Sequence, residues 1–232
     1  MRSFKDSNLF QAWLVLLLAT AFGMALAGIQ TKLGPVIEAN KTRETLAKIP
    51  ALVLGEEQAA TLTRQKKHLS ITLRTIELER NGIKKFYTVY DALFEDGSLA
   101  GHVAKASGQG YADKIELLLG LDAAAKTITG LFILDQKETP GLGNKIIEKP
   151  WRDQFLNKAC DTRLVVVKGI PSKENEIDAI SGATISSRSV TDIVNKTIMD
   201  IKAQLLSPPK ETAQKPKPVP PGNETGKIKE NT

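Results

Sequence analysis

Residues Asp178–Leu206, DAISGATISSRSVTDIVNKTIMDIKAQLL, change character part-way along. From Ser186 to Leu206, Val190, Ile193, Val194, Thr197, Ile198, Ile201 and Leu205 recur at i, i+3, i+4, i+7 spacing, which predicts an amphipathic helix with one apolar face. That face must be buried against something apolar, and the small, hydroxyl-rich residues before it cannot supply the surface. The partner therefore has to come from upstream.

Upstream lies a series of short alternating or apolar runs: Ile71–Leu78, Phe86–Ala92, Leu99–Ala106, Lys114–Leu121, Thr127–Leu134 and Leu164–Val167. Asn81-Gly82 and Asp96-Gly97 separate them at hairpin spacing, and Asp122–Lys126 is another short linker. Consecutive strands joined by tight turns form an antiparallel meander, so the expected fold class is α+β: a mostly antiparallel sheet with packed helices.

Both ends of the chain differ from this centre. Ala12–Ile29, AWLVLLLATAFGMALAGI, carries no charge and has Thr20 as its polar side chain, which suits a membrane-spanning helix, with Trp13 at the lipid boundary. Arg2, Lys5 and the small-residue pattern Ala25-Leu26-Ala27 also fit a cleaved signal peptide. Either reading implies export. Between Gln30 and Lys67, Ala39–Leu46 and Ala51–Leu62 read as juxtamembrane helices interrupted by Pro35 and Pro50. After Ser207, 6 of the 11 prolines fall among lysines and glutamates, a composition that cannot bury a core and predicts a disordered or extended tail. The expected organisation is a transmembrane anchor over 1–30 with a short cytoplasmic leader, a juxtamembrane segment over 31–67, one globular domain over 68–206 and a tail over 207–232.

Composition narrows the chemistry. The net charge of +6 is spread among acidic residues without an aromatic-rich basic strip, so no nucleic acid is expected as partner. Cys160 is the single cysteine, which excludes an intrachain disulfide or a CxxC redox pair. His68 and His102 lack companions at ligand spacing, and no metal site or catalytic acid–base pair is expected.

The segment before the last helix offers a different kind of site. Ser181, Gly182 and Ala183 permit close backbone approach, and Gly182 can adopt positive φ. Thr184 then places a hydroxyl just ahead of the helix, where free N–H groups and the helix dipole favour an anion such as a phosphate. Ser181–Ser187 also reads as an ordinary, generously supplied N-cap. Farther upstream, Glu138, Thr139, Pro140, Gly141, Leu142 and Gly143 spell ETPGLG directly after the apolar run Thr127–Leu134, a rigid turn at a strand end or a plain loop.

DAISGAT resembles the attachment motif of the FMN-binding domain family, in which a flavin transferase esterifies an FMN phosphate to the last threonine. Asp178, Ser181, Gly182, Ala183 and Thr184 all match it. With ETPGLG and the WRDQF run at Trp151–Phe155, the chain is similar to the G-component branch of that family, found in the Rnf ion-translocating oxidoreductase complex. The similarity covers the anchor and roughly Leu73–Leu206, but where the branch has a GYGG turn this chain has Gly110, Tyr111, Ala112 and Asp113, which puts close backbone approach there in doubt.

The resemblance implies covalent FMN on Thr184, with Asp178, Ser181, Gly182 and Ala183 around the attachment point and Glu138, Thr139, Pro140, Gly141 and Leu142 near the isoalloxazine. It implies electron relay without catalysis by the chain alone, with other membrane and iron–sulfur proteins of the complex and a flavin transferase as partners. It also implies an inner-membrane protein whose flavin domain is extracytoplasmic. The charge count alone favours the opposite orientation, since Lys32, Lys41, Arg43 and Lys48 follow the span and only Arg2 and Lys5 precede it. Two alternatives stay open: the C component of a sodium-pumping NADH:quinone oxidoreductase, and a non-redox membrane-anchored adaptor whose SGAT caps a helix.

Overall fold

A computed structural model of the chain describes residues 8–80 and 82–206; the tail expected over 207–232 and the leader residues Arg2 and Lys5 lie outside them. Helix α1 is Asn8–Leu54 and α2 is Glu56–Arg64. Pro35 and Pro50 do not interrupt α1, because each proline removes one backbone donor while the neighbouring turns keep their own bonds. The part of α1 from Phe10 onward is long and apolar enough to cross a membrane, and its most apolar window is fully exposed, as a lipid-facing anchor would be. The protein is membrane-anchored.

Residues 48–206 contain the folded domain. Strands β1 (Ser70–Arg80), β2 (Ile83–Leu93), β3 (Leu99–Gln109), β4 (Lys114–Asp122) and β5 (Ile128–Asp135) form an antiparallel sheet in the order β1-β2-β3-β4-β5. The meander is the one the turn signals require: Arg80 pairs with Ile83 across the first hairpin, and Gly97, at φ 81°, closes the second.

Both faces of this sheet are covered at β4, which explains why that strand reads as a near-continuous apolar run rather than an alternation. On one face Leu117, Leu119, Leu121, Val89 and Ala104 pack against helix α4, Thr184–Leu205, whose Val190, Val194 and Ile201 are completely buried. Burying each such side chain contributes roughly 1.5–3 kcal/mol. On the other face the last turn of α1 lies close to Gly120 and Gly130, which pair across β4 and β5; a Cβ on Gly120 would stand 2.4 Å from the Leu52 carbonyl. Thr129 donates its hydroxyl to that carbonyl at 2.7 Å.

A compact connection follows β5: a 3-10 turn at Gly143–Ile147, the short helix α3 (Lys149–Arg152) and a second 3-10 turn at Asp153–Phe155. Two short strands, β6 (Val165–Val167) and β7 (Glu176–Asp178), then pair in parallel as a separate sheet. The sequence pattern shows β6 but not β7 or their parallel pairing, because Glu176-Ile177-Asp178 is too short to display a period.

Candidate functional site

The SGAT segment folds as a β-turn. Ala183 N–H donates to the Ile180 carbonyl at 2.9 Å, and Gly182 sits in the third position of the turn with φ 79°. That geometry is a type II turn, which requires positive φ at the third position and therefore glycine. The ETPGLG segment repeats it: Leu142 N–H donates to the Thr139 carbonyl at 3.1 Å, Pro140 occupies the second position and Gly141, at φ 76°, the third. The turns meet, since a Cβ added to Gly182 would lie 3.0 Å from Leu142 Cδ2.

Helix α4 begins at Thr184 itself, so the threonine is the first helical residue instead of preceding the helix. The over-supplied N-cap does not form: the cap position is Ala183, with no side-chain cap bond. The nearby hydroxyls are used elsewhere. Ser187 Oγ donates to the Ala183 carbonyl and accepts from Ile180 N–H, while Ser186 Oγ donates to Glu138 Oε2. Thr184 is half-buried, and among the described residues its hydroxyl has no hydrogen-bond partner.

Glu138 is buried, at 4% exposure, whereas Thr139, Pro140, Gly141 and Leu142 are exposed. Besides Ser186, the Glu138 carboxylate accepts from Ala112 N–H at 3.1 Å. The Gly110–Asp113 turn, marked from sequence as a departure, thus closes with Gly110 N–H on the Asp113 carbonyl at 2.8 Å and sits against Glu138. Asp113 also pairs with Lys137 at 2.9 Å, and this hydrogen bond holds the exposed Asp113 carboxyl below its ordinary range.

Asp178 is in β7 and is gripped mainly through its backbone. Its N–H donates to Gln154 Oε1 at 2.7 Å, its carbonyl accepts from Trp151 Nε1 at 2.9 Å, and its carboxylate accepts from Gly169 N–H at 3.0 Å. Trp151 is held edge-on to Phe155 with ring centroids 5.4 Å apart. WRDQF is therefore the bracket that fixes the strand leading into SGAT.

Sequence spacing missed Ser186 as a partner of Glu138, Ala112 as a donor and Gln154 as an acceptor, because each pairs with a residue more than twenty positions away. Nor did it anticipate that His102 Nδ1 lies 2.6 Å from Asp91 Oδ1, a pair made across β2 and β3 that also takes Arg74 at 3.2 Å. That cluster is near the start of β3, whereas the Gly110–Asp113 turn follows its end.

The donor set suits a phosphorylated ligand esterified at Thr184: a free hydroxyl at a helix N-terminus, flanked by glycine turns that leave the backbone approachable. Nearby, the side-chain oxygen of Asn144 is buried without a hydrogen-bond partner among the described residues.

Residues 110–199 match the model of the FMN-binding domain family. The chain is 43% identical over 105 residues to the G component of the Na(+)-translocating ferredoxin:NAD(+) oxidoreductase complex of Acetobacterium woodii, covering 44% of this chain and 50% of that protein. It is 32% identical over 135 residues to the G component of the ion-translocating oxidoreductase complex of Methanosarcina acetivorans, covering 58% of this chain and 67% of the relative. The chain thus spans half to two thirds of the length of these relatives. A crystal structure of the C component of the Na(+)-translocating NADH-quinone reductase from Parabacteroides distasonis has the same fold, with a TM-score of 0.56, 21% identity and coverage of 76% of this chain and 98% of that one.

Proposed function

This chain belongs to the G-component family of ion-translocating oxidoreductase complexes, and on that premise we propose that it relays electrons through FMN covalently attached to Thr184. The observation that carries the reading is the free Thr184 hydroxyl at the first residue of α4, beside two type II turns and inside the FMN-binding match.

Attachment is a phosphoryl transfer to the threonine. The donor must be a flavin phosphoanhydride such as FAD: the Thr184 Oγ–P bond forms, the P–O bond of the pyrophosphate breaks, AMP leaves, and the hydroxyl proton passes to the transferase or solvent. A phosphodiester at this position keeps one negative charge by the helix N-terminus. That interaction contributes roughly 0.3–1 kcal/mol, or about 2 kcal/mol when partly buried. Micromolar binding needs about 8 kcal/mol, so the helix terminus orients the group and the covalent bond retains it.

When bound, the flavin supplies one- and two-electron redox chemistry. The chain's own part is to hold it. The Ile180–Ala183 turn fixes the attachment point, Asp178 anchors the strand leading into it, and Thr139–Leu142 presents exposed backbone and the Leu142 side chain beside it. Electron relay requires no bound metabolite. Other membrane and iron–sulfur proteins of the complex are the electron partners, a flavin transferase is the maturation partner, and the flavin domain stands on the extracytoplasmic side. The 43% identity to a G component supports this assignment over the C-component reading.

The test is co-expression with a competent flavin transferase followed by in-gel fluorescence and peptide mass. Wild type carries the FMN phosphate mass on the peptide containing Thr184, and Thr184→Val is dark. A bare Thr184 peptide from transferase-competent cells overturns the reading and leaves the non-redox adaptor in its place.

A further inference from the structure

We propose that Glu138 is the positioning residue of the attachment site: its carboxylate locks the first turn of α4 in the rotational phase that turns Thr184 outward. This rests on the reading that Thr184 receives the flavin, but assigns Glu138 to holding the acceptor threonine instead of touching the isoalloxazine.

The geometry is specific. Glu138 is 4% exposed and Ser186 3% exposed, and the Ser186 hydroxyl donates to Glu138 Oε2. In an α-helix, residues two apart point about 200° from each other. With Ser186 pinned inward, Thr184 must face the opposite way, and it is indeed the less buried of the two. Oε1 accepts from Ala112 N–H at 3.1 Å, so the same carboxylate joins the Gly110–Asp113 turn, the end of β5 and the start of α4. Glu138 N–H in turn donates to Gln136 Oε1 at 2.6 Å, holding the backbone that bears it.

Room for this link is made on both sides. A Cβ on Gly110 would stand 2.4 Å from Glu138 Oε1, and one on Gly143 would stand 2.6 Å from Ser186 Oγ and 2.9 Å from Glu138 Oε2. A buried carboxylate carries a desolvation penalty that an apolar side chain filling the same space would not. What the carboxylate adds is direction: two hydrogen bonds of fixed geometry to two separate segments. Helix ends fray, and a transferase that must bring a phosphoanhydride in line with one hydroxyl depends on that hydroxyl being held.

The experiment uses the full chain with flavin transferase and FAD, comparing wild type with Glu138→Ala, Glu138→Gln and Ser186→Ala. It measures the initial rate of flavin incorporation, the melting temperature and amide exchange over 180–190. Glu138→Gln keeps both links, with its Oε1 accepting from Ala112 and its Nε2 donating to Ser186 Oγ, so its rate stays within about twofold of wild type. Glu138→Ala and Ser186→Ala, assayed well below their melting temperatures, slow incorporation about tenfold and speed exchange in the first turn of α4. The double variant is no slower than Glu138→Ala, since that variant already lacks the link to Ser186.

Incorporation into Glu138→Ala at the wild-type rate overturns the proposal, and so does a Glu138→Gln as slow as Glu138→Ala. If Glu138→Ala fails to fold, Ser186→Ala decides alone, because it leaves the carboxylate in place. An unmodified wild type sinks the Thr184 reading instead; the exchange measurement, which needs no flavin, still decides whether Glu138 holds the helix start.

Discussion

The N-terminal end of α4 is rich in committed polar groups, while the opposite stretch of the same helix borders a groove of about 810 Å³ lined by Cys160, Asn195, Ile198, Met199 and Leu206 among others. Volume alone would place the functional site in the groove. The polar chemistry points to the other end, where Ser186, Ser187, Glu138 and the backbone of two turns satisfy one another and leave the Thr184 hydroxyl free. A cofactor held by a covalent bond does not need an enclosing cavity, because its retention does not depend on buried area. The difference teaches that here the site is marked by an unpartnered threonine hydroxyl at a helix start and not by volume.

The sharpest contrast between these ends comes from paired substitutions. Thr184→Val removes all covalent flavin fluorescence, whereas Met199→Glu, at an exposed position on the groove, leaves the flavin-to-protein ratio at the wild-type value. A dark Met199→Glu of normal stability would move the site to the groove and break the comparison. A smaller effect is expected at Gly182, where alanine must adopt φ 79° with its Cβ 3.0 Å from Leu142 Cδ2. The urea midpoint should register a loss of about 1–2 kcal/mol. Flavin incorporation should slow several-fold, and unchanged values in both measurements would mean that the turn relaxes freely.

The smallest effect concerns the groove. Burial pushes the Cys160 thiol up to about 11 from an ordinary value of 9.0. A raised folded-state value means that the unfolded chain loses its proton first as pH rises. The thiol's contribution to stability is therefore intact below about pH 9 and lost towards pH 11. Wild type should lose more stability than Cys160→Ala over that interval, by urea unfolding at pH 8 and pH 11, and alkylation of the native thiol at pH 8 should be slow. Equal losses in both chains would show that the thiol is not desolvated.

Much of this architecture was legible in sequence because it is written locally. The alternation in Ile71–Leu78 and Phe86–Ala92, with turn residues between, yields β1 and β2 in antiparallel register, and the helical period after Ser186 yields the buried face of α4. The ETPGLG turn was legible as well, since proline in the second position and glycine in the third suit a type II turn; for SGAT only the positive φ open to Gly182 was legible, and not the turn itself. The first residues of α4 were misplaced by two positions because Thr184 and Ile185 precede the apolar period that reveals the helix. The uninterrupted passage of α1 through Pro35 and Pro50 was also illegible, because proline's local cost argues for a break that the neighbouring turns prevent.

By itself the sequence determined the anchor, the order of the meander, the amphipathic last helix and the residue types of both turns, all of which follow from the spacing of near neighbours. Only the tertiary structure decided that Glu138 turns inward to Ser186 and Ala112, 48 and 26 residues away, that Gly182 meets Leu142, and that Trp151 and Gln154 clamp Asp178. Such pairings depend on how the sheet brings distant segments to one edge. Hydrogen bonds form between whichever donors and acceptors packing leaves adjacent, and no local period records that adjacency.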